Sequence, residues 1–161
     1  MNCPLKSLWR GAHRPLLLCL VLLLSACSDA YLPSYWFCKG QSSQQRLATD
    51  GAVLESYRGQ DDLLLEIFRG KVEQYISAAF TGIHNQCEDS SSLISFQEGQ
   101  CNQVKGSSNK LRYGELDKLT GSLTLSEQRP FEKGSIKSSG IYSCRYLGHR
   151  YPSSIFFGDG K

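Results

Sequence analysis

Residues 46–57 read Arg46-Leu47-Ala48-Thr49-Asp50-Gly51-Ala52-Val53-Leu54-Glu55-Ser56-Tyr57. Two strand-like runs flank Asp50-Gly51, a dipeptide that favours a two-residue hairpin turn because glycine enters positive φ without steric cost. The segment predicts an antiparallel hairpin, and the same pattern recurs on both sides of it. Upstream, Tyr35-Trp36-Phe37-Cys38 opens the domain as an aromatic strand. Downstream, Lys110 to Gln128 is the clearest second hairpin: Leu111, Tyr113, Glu115 and Asp117 lead into Leu119-Thr120-Gly121. Leu123 and Leu125 then alternate with Ser122, Thr124 and Ser126, giving one apolar face and one wet face.

Leu63 to Ile76 admits two readings. Leu64, Ile67, Phe68, Val72, Tyr75 and Ile76 fall at helical spacing, and Asp61 or Asp62 would cap such a helix. Gly70 decides for a hairpin, since mid-helix it costs about 1 kcal/mol and Arg69-Gly70-Lys71 divides two strand-like runs. Ala79 to Cys87 and Leu93 to Phe96 form a further pair around the polar turn Glu88-Asp89-Ser90-Ser91-Ser92. The last strands run from Ser135 to Leu147, with bulk from Ile136, Ile141, Tyr142 and Tyr146 and with Gly134 and Gly140 expected to permit bends or bulges. Turn residues thus recur roughly every eight to twelve positions, the signature of an all-β domain. The expected fold is a small antiparallel barrel or sandwich of about eight to ten strands.

The chain carries a formal charge of +3, and Lys6, Arg10 and Arg14, with no acid among residues 1–26, account for all of it. The remainder balances, which removes the usual electrostatic argument for nucleic-acid binding. Residues 1–26 have the parts of an export signal helix: a basic front, the apolar run Leu16 to Leu24, then small Ser25 and Ala26. That run is too short for a permanent span, which needs roughly 20 residues. The expected organisation is a signal peptide over 1–26, a tether over 27–34, one β domain over 35–157 and a frayed tail over 158–161.

Leu24-Ser25-Ala26-Cys27 resembles the lipobox of bacterial lipoprotein precursors. The resemblance implies that the Cys27 thiol carries a diacylglyceryl group, that cleavage precedes it, and that its amine is acylated. Several acyl chains, at about 0.8 kcal/mol per buried methylene, would give a stable anchor. In that class an Asp directly after the cysteine signals retention at the inner membrane; Ser28 stands there, so the resemblance favours the outer membrane, facing the periplasm.

With Cys3 and Cys19 in the leader and Cys27 assigned to lipid, Cys38, Cys87, Cys101 and Cys144 remain. An even set in an oxidising compartment is expected to pair. Spacing alone leaves three pairings open; the preferred one joins Cys38 to Cys144, first strand to last, and Cys87 to Cys101. A metal site is not expected, because Cys-x-x-Cys is absent and His84-Asn85-Gln86-Cys87 is isolated. No cofactor is expected either, since no phosphate-binding loop occurs.

Gly-x-Ser-x-Gly and His-Glu-x-x-His are also absent, His149 in Gly148-His149-Arg150-Tyr151 reads as a surface residue, and the acidic pairs Asp61-Asp62 and Glu88-Asp89 read as turns. What remains is surface suited to recognition. Tyr35, Trp36 and Phe37 are candidate binding aromatics; alternation predicts that Trp36, or else Tyr35 and Phe37, face outward. The blander reading is core packing and a plug at a barrel end. The expected function is a non-enzymatic binding or structural module of the cell envelope, with a protein partner there. The rivals are a lipid-carrying barrel and a hydrolase with a dispersed site. Ser139-Gly140-Ile141-Tyr142 with Phe156-Phe157-Gly158-Asp159-Gly160 also resembles the C-terminal pattern of lysozyme-inhibiting lipoproteins, Ser-Gly-x-x-Tyr then Phe-Trp-x-Lys-Gly, although the tyrosine comes one residue early and Phe157 and Asp159 replace the Trp and Lys.

Overall fold

The computed structural model describes residues 32–101 and 111–152. Among the described residues there are eight strands: β1 (Ser34–Ala48), β2 (Val53–Phe68), β3 (Lys71–Ile76), β4 (Ala79–Asp89), β5 (Leu93–Gln97), β6 (Leu111–Asp117), β7 (Ser122–Phe131) and β8 (Gly134–Gly148). Each pairs antiparallel with its sequence neighbours and β8 returns to β1, closing a barrel. Over the paired length, closure satisfies the edge hydrogen bonds that an open sheet would expose. The all-β expectation holds, as a barrel and not a sandwich, at the lower strand count.

Local chemistry explains the turns. Arg69 (φ 49°) and Gly70 (φ 73°) link β2 to β3 in a tight left-handed turn, so the helical spacing of Leu63–Ile76 yields to a hairpin. Ser77 (φ 47°) and Ala78 (φ 66°) repeat that geometry between β3 and β4 without a glycine. The Asp50-Gly51 hairpin exists but with a wider loop than two residues. Asp50 Oδ1 accepts the Ala52 N–H at 3.0 Å, Ala48 N–H donates to Ala52 O at 2.9 Å, and the register slips between Arg46 and Leu47.

Two acidic pairs fall elsewhere than expected. Asp61-Asp62 lies within β2, opposite Gly40 and Lys39, and Glu88-Asp89 ends β4, leaving Ser90–Ser92 as the turn. Backbone pairing with β1 outweighs the low β propensity of the polar run Arg58–Asp62. Nor does Gly140 mark a bulge: the β7–β8 pairing runs in unbroken register from Ser122↔Ser143 to Phe131↔Gly134.

The interior is built by period-2 alternation. Trp36 and Cys38 from β1, Leu63, Leu65 and Ile67 from β2, Val72 from β3, Ile94 and Phe96 from β5, Leu116 from β6, Leu123 from β7 and Tyr142 from β8 form one buried cluster. Gly114 makes it fit, since a Cβ there would collide with the Phe96 ring. The disulfide Cys38–Cys144 joins directly opposed residues of β1 and β8 across the closing seam, and Cys87–Cys101 ties β4 to the segment after β5.

Candidate functional site

The buried cluster occupies one end of the barrel, where β1 begins and the β2–β3, β4–β5 and β6–β7 turns lie. Towards the other end the alternation continues, but polar inward residues such as Ser42, Asp61, Gln74 and Ser138 join apolar ones such as Ile76 and Leu125. The strands there are also unequal. β3 pairs with β2 only as far as Leu63↔Ile76, whereas β1 and β2 stay paired to Leu47↔Val53. From Asp62 to Val53 the β7-β8-β1-β2 wall therefore rises roughly 30 Å past the top of β3 at strand spacing. At its foot opens a cup of about 320 Å³.

Tyr142 forms the floor. Its ring lies over Gly40 of the neighbouring strand and over Gly140 of its own, and a Cβ at either glycine would collide with it. Burial, and then the nearby Asp61 charge, push its hydroxyl up to about 12, so it stays a donor at neutral pH. That hydroxyl donates to Asp61 Oδ2 at 3.5 Å, and Ser42 Oγ donates to the same oxygen at 2.5 Å. Asp61 Oδ1 has no hydrogen-bond partner among the described residues. Tyr57, two inward positions away, leans its ring over Gly59 and remains 67% exposed at the rim.

Across the cup, Arg112 of β6 pairs with Glu127 of β7 at 3.0 Å and donates to the Thr81 backbone oxygen of β4 at 3.2 Å. β5 has ended at Gln97, and beyond that point the guanidinium bridges β6 to β4. Gln74 of β3 lines the cup, is only 4% exposed, and its Oε1 has no hydrogen-bond partner among the described residues. Leaving such an oxygen unpaired costs about 1–3 kcal/mol, so it marks a place where the fold alone is not satisfied. Ile76 and Leu125 complete the wall, with Gln44 and Ser138 adding neutral polar groups.

The candidate aromatics are not where exposure would make them anchors. Tyr35, Trp36 and Phe37 are 5%, 8% and 6% exposed. Trp36 points inward and packs against Tyr146, plugging the barrel base. Tyr35 lies outside the lumen but is covered by Tyr151, edge-on at 5.6 Å, and by Glu66; burial first and Glu66 second push its hydroxyl up to about 12. Phe37 sits beneath two cations, Lys39 and Arg145, each 5.5 Å from its ring centre. Both outward aromatics are thus covered by neighbours on the barrel wall.

His84 is 2% exposed and packs against Phe96 at 5.5 Å in the filled half. His149 contacts the Tyr146 hydroxyl at 3.1 Å and the Pro33 carbonyl at 2.9 Å, holding the end of β8 against the start of β1. Among the described residues no cluster of three or more His, Cys, Asp or Glu could hold a metal. Cys27, the leader and Phe156–Gly160 lie outside the described residues. The cup was missed in the sequence because Tyr57 and Asp61 of β2, Gln74 of β3 and Arg112 of β6 come from three separate strands with no local motif. The one signal was the period-2 phase, which, continued from Leu63 back through Asp61, Gly59 and Tyr57, places all three inside. No family model matches this chain, and no curated protein is similar to it in sequence.

Proposed function

We propose that this chain is a lipid-anchored protein of the cell envelope, held at the outer membrane through Cys27, and that its barrel works as a non-enzymatic binding module. The observation that carries the reading is the division of the lumen into a filled apolar end and an open polar cup. A barrel stabilised by one end is free to recognise with the other. The filled end also argues against lipid carriage, because side chains occupy the space an acyl chain would need. β1 starts at Ser34, at the filled end, so a tether from Cys27 enters opposite the cup. Fully extended, residues 28–34 reach at most about 25 Å, which keeps the domain near the lipid.

Mass spectrometry of the mature N-terminus tests the anchor: a diacylglyceryl-modified, N-acylated Cys27 is expected, and Cys27→Ala should move the protein to the soluble fraction. An unmodified N-terminus, or a Cys27→Ala protein that stays on membranes, would overturn it. For the module, ligand-dependent hydrogen-exchange protection is expected at residues 57–61 and 138–142.

A further inference from the structure

We infer that the cup takes a small, uncharged, hydroxyl-rich ligand of one or two sugar rings, with Asp61 and Gln74 as its hydrogen-bond acceptors. This deepens the binding-module reading and rests on it.

Charge narrows the choice first. The cup's cation, Arg112, is already occupied by Glu127 and by the Thr81 carbonyl, so an anion finds no free positive partner. Glu127 is neutralised by the same pair. Asp61 is served on Oδ2 by Ser42 and Tyr142, and the neighbouring Gln44 and Ser138 are neutral, so the array lacks the several free carboxylates that would hold a metal cation.

Two of the open positions are acceptors. Asp61 Oδ1 and the buried Gln74 Oε1 lack partners among the described residues and line the same cup. Two acceptors in one cup suit two donors on one molecule, which the hydroxyls of a sugar supply. A sugar ring also has an apolar face, and the exposed Tyr57 ring at the rim is a flat apolar surface of that kind. The volume of about 320 Å³ is small for a ligand site and excludes longer oligomers from full enclosure.

Saturation-transfer difference NMR on the full chain, held in a zwitterionic detergent without a sugar head group, tests this. The probes are glucose, N-acetylglucosamine, maltose and cellobiose, with spermidine, methyl phosphate and decanoate as rivals. Transfer to ring protons of at least one sugar is expected, with affinity about tenfold weaker in both Asp61→Asn and Gln74→Met, one lost hydrogen bond to a buried or charged acceptor apiece. Gln74→Met keeps the side-chain volume and carries the test if Asp61→Asn fails to fold. Absence of transfer to every sugar, or transfer unchanged in the folded variants, overturns the inference. Binding of a rival probe alone, lost in the same variants, overturns the sugar class but leaves the binding module standing; silence from all seven probes removes both.

Discussion

The two halves of this barrel are made by the same strands in the same alternation, yet they do opposite things. At the β1 entry end the inward side chains are Trp36, Leu65, Val72 and Phe96, and they fill the lumen. A few residues along the same strands the inward positions are Ser42, Asp61, Gln74 and Ser138, and the lumen stays open. Burial of apolar area stabilises the first half, at about 25 cal/mol per Å². The second half contributes little of that and retains unpaired acceptors. Stability and recognition are therefore separated along the barrel axis, and substitutions should separate in the same way.

The sharpest test of that separation is the seam. Replacing Cys38 and Cys144 together by Ala opens a loop whose ends are 106 positions apart, and chain-entropy reasoning gives a loss of about 4.7 kcal/mol, read as a lower denaturant midpoint. A loss below about 1 kcal/mol would mean that strand pairing alone holds the barrel shut. Phe96→Ala should follow, at about 3–5 kcal/mol, because the ring fits against Gly114 and a void would remain. Gly140→Ala tests the boundary between the halves: displacing the Tyr142 ring should cost about 1–3 kcal/mol. Ser138→Ala, inside the cup, should change stability by less than about 0.5 kcal/mol, and a larger loss would break the comparison.

Another small effect lies outside the lumen. Glu66 and Glu73 stand directly opposite on β2 and β3, and burial first, then the Glu73 charge, raise the Glu66 carboxyl above its ordinary range. Its folded form therefore holds a proton more tightly than its unfolded form. Stability associated with Glu66 is present below the unfolded value and is lost as pH rises through the folded one. Glu66→Gln should accordingly stabilise the protein by about 0.2–1 kcal/mol at pH 7, with the gain vanishing in acid, checked by thermal melts across pH.

Much of the barrel was legible because turn chemistry is local. Arg69-Gly70 and Leu119-Thr120-Gly121 mark hairpins, and the Cys38–Cys144 and Cys87–Cys101 pairings agree with the preferred connectivity. The extent of β2 was not legible, because Arg58-Gly59-Gln60-Asp61-Asp62 has the composition of a turn and becomes strand only through pairing with Lys39–Ser43. The burial of Phe37 and Tyr35 was hidden for a related reason. Alternation assigns a side chain to a face, but it does not say which neighbours on that face will cover it.

Neighbour-to-neighbour connectivity has one consequence for how the barrel comes into being. Seven of its eight pairings join consecutive strands, and only β1–β8 joins the ends of the described sheet. As the chain emerges from its N-terminus, β1 acquires β2 early but must wait for the last strand to cover its other side. Until then β1 and the newest strand are raw edges open to pairing with other chains. Closure sets Cys38 directly opposite Cys144, so the bond between them locks the seam once those edges have met.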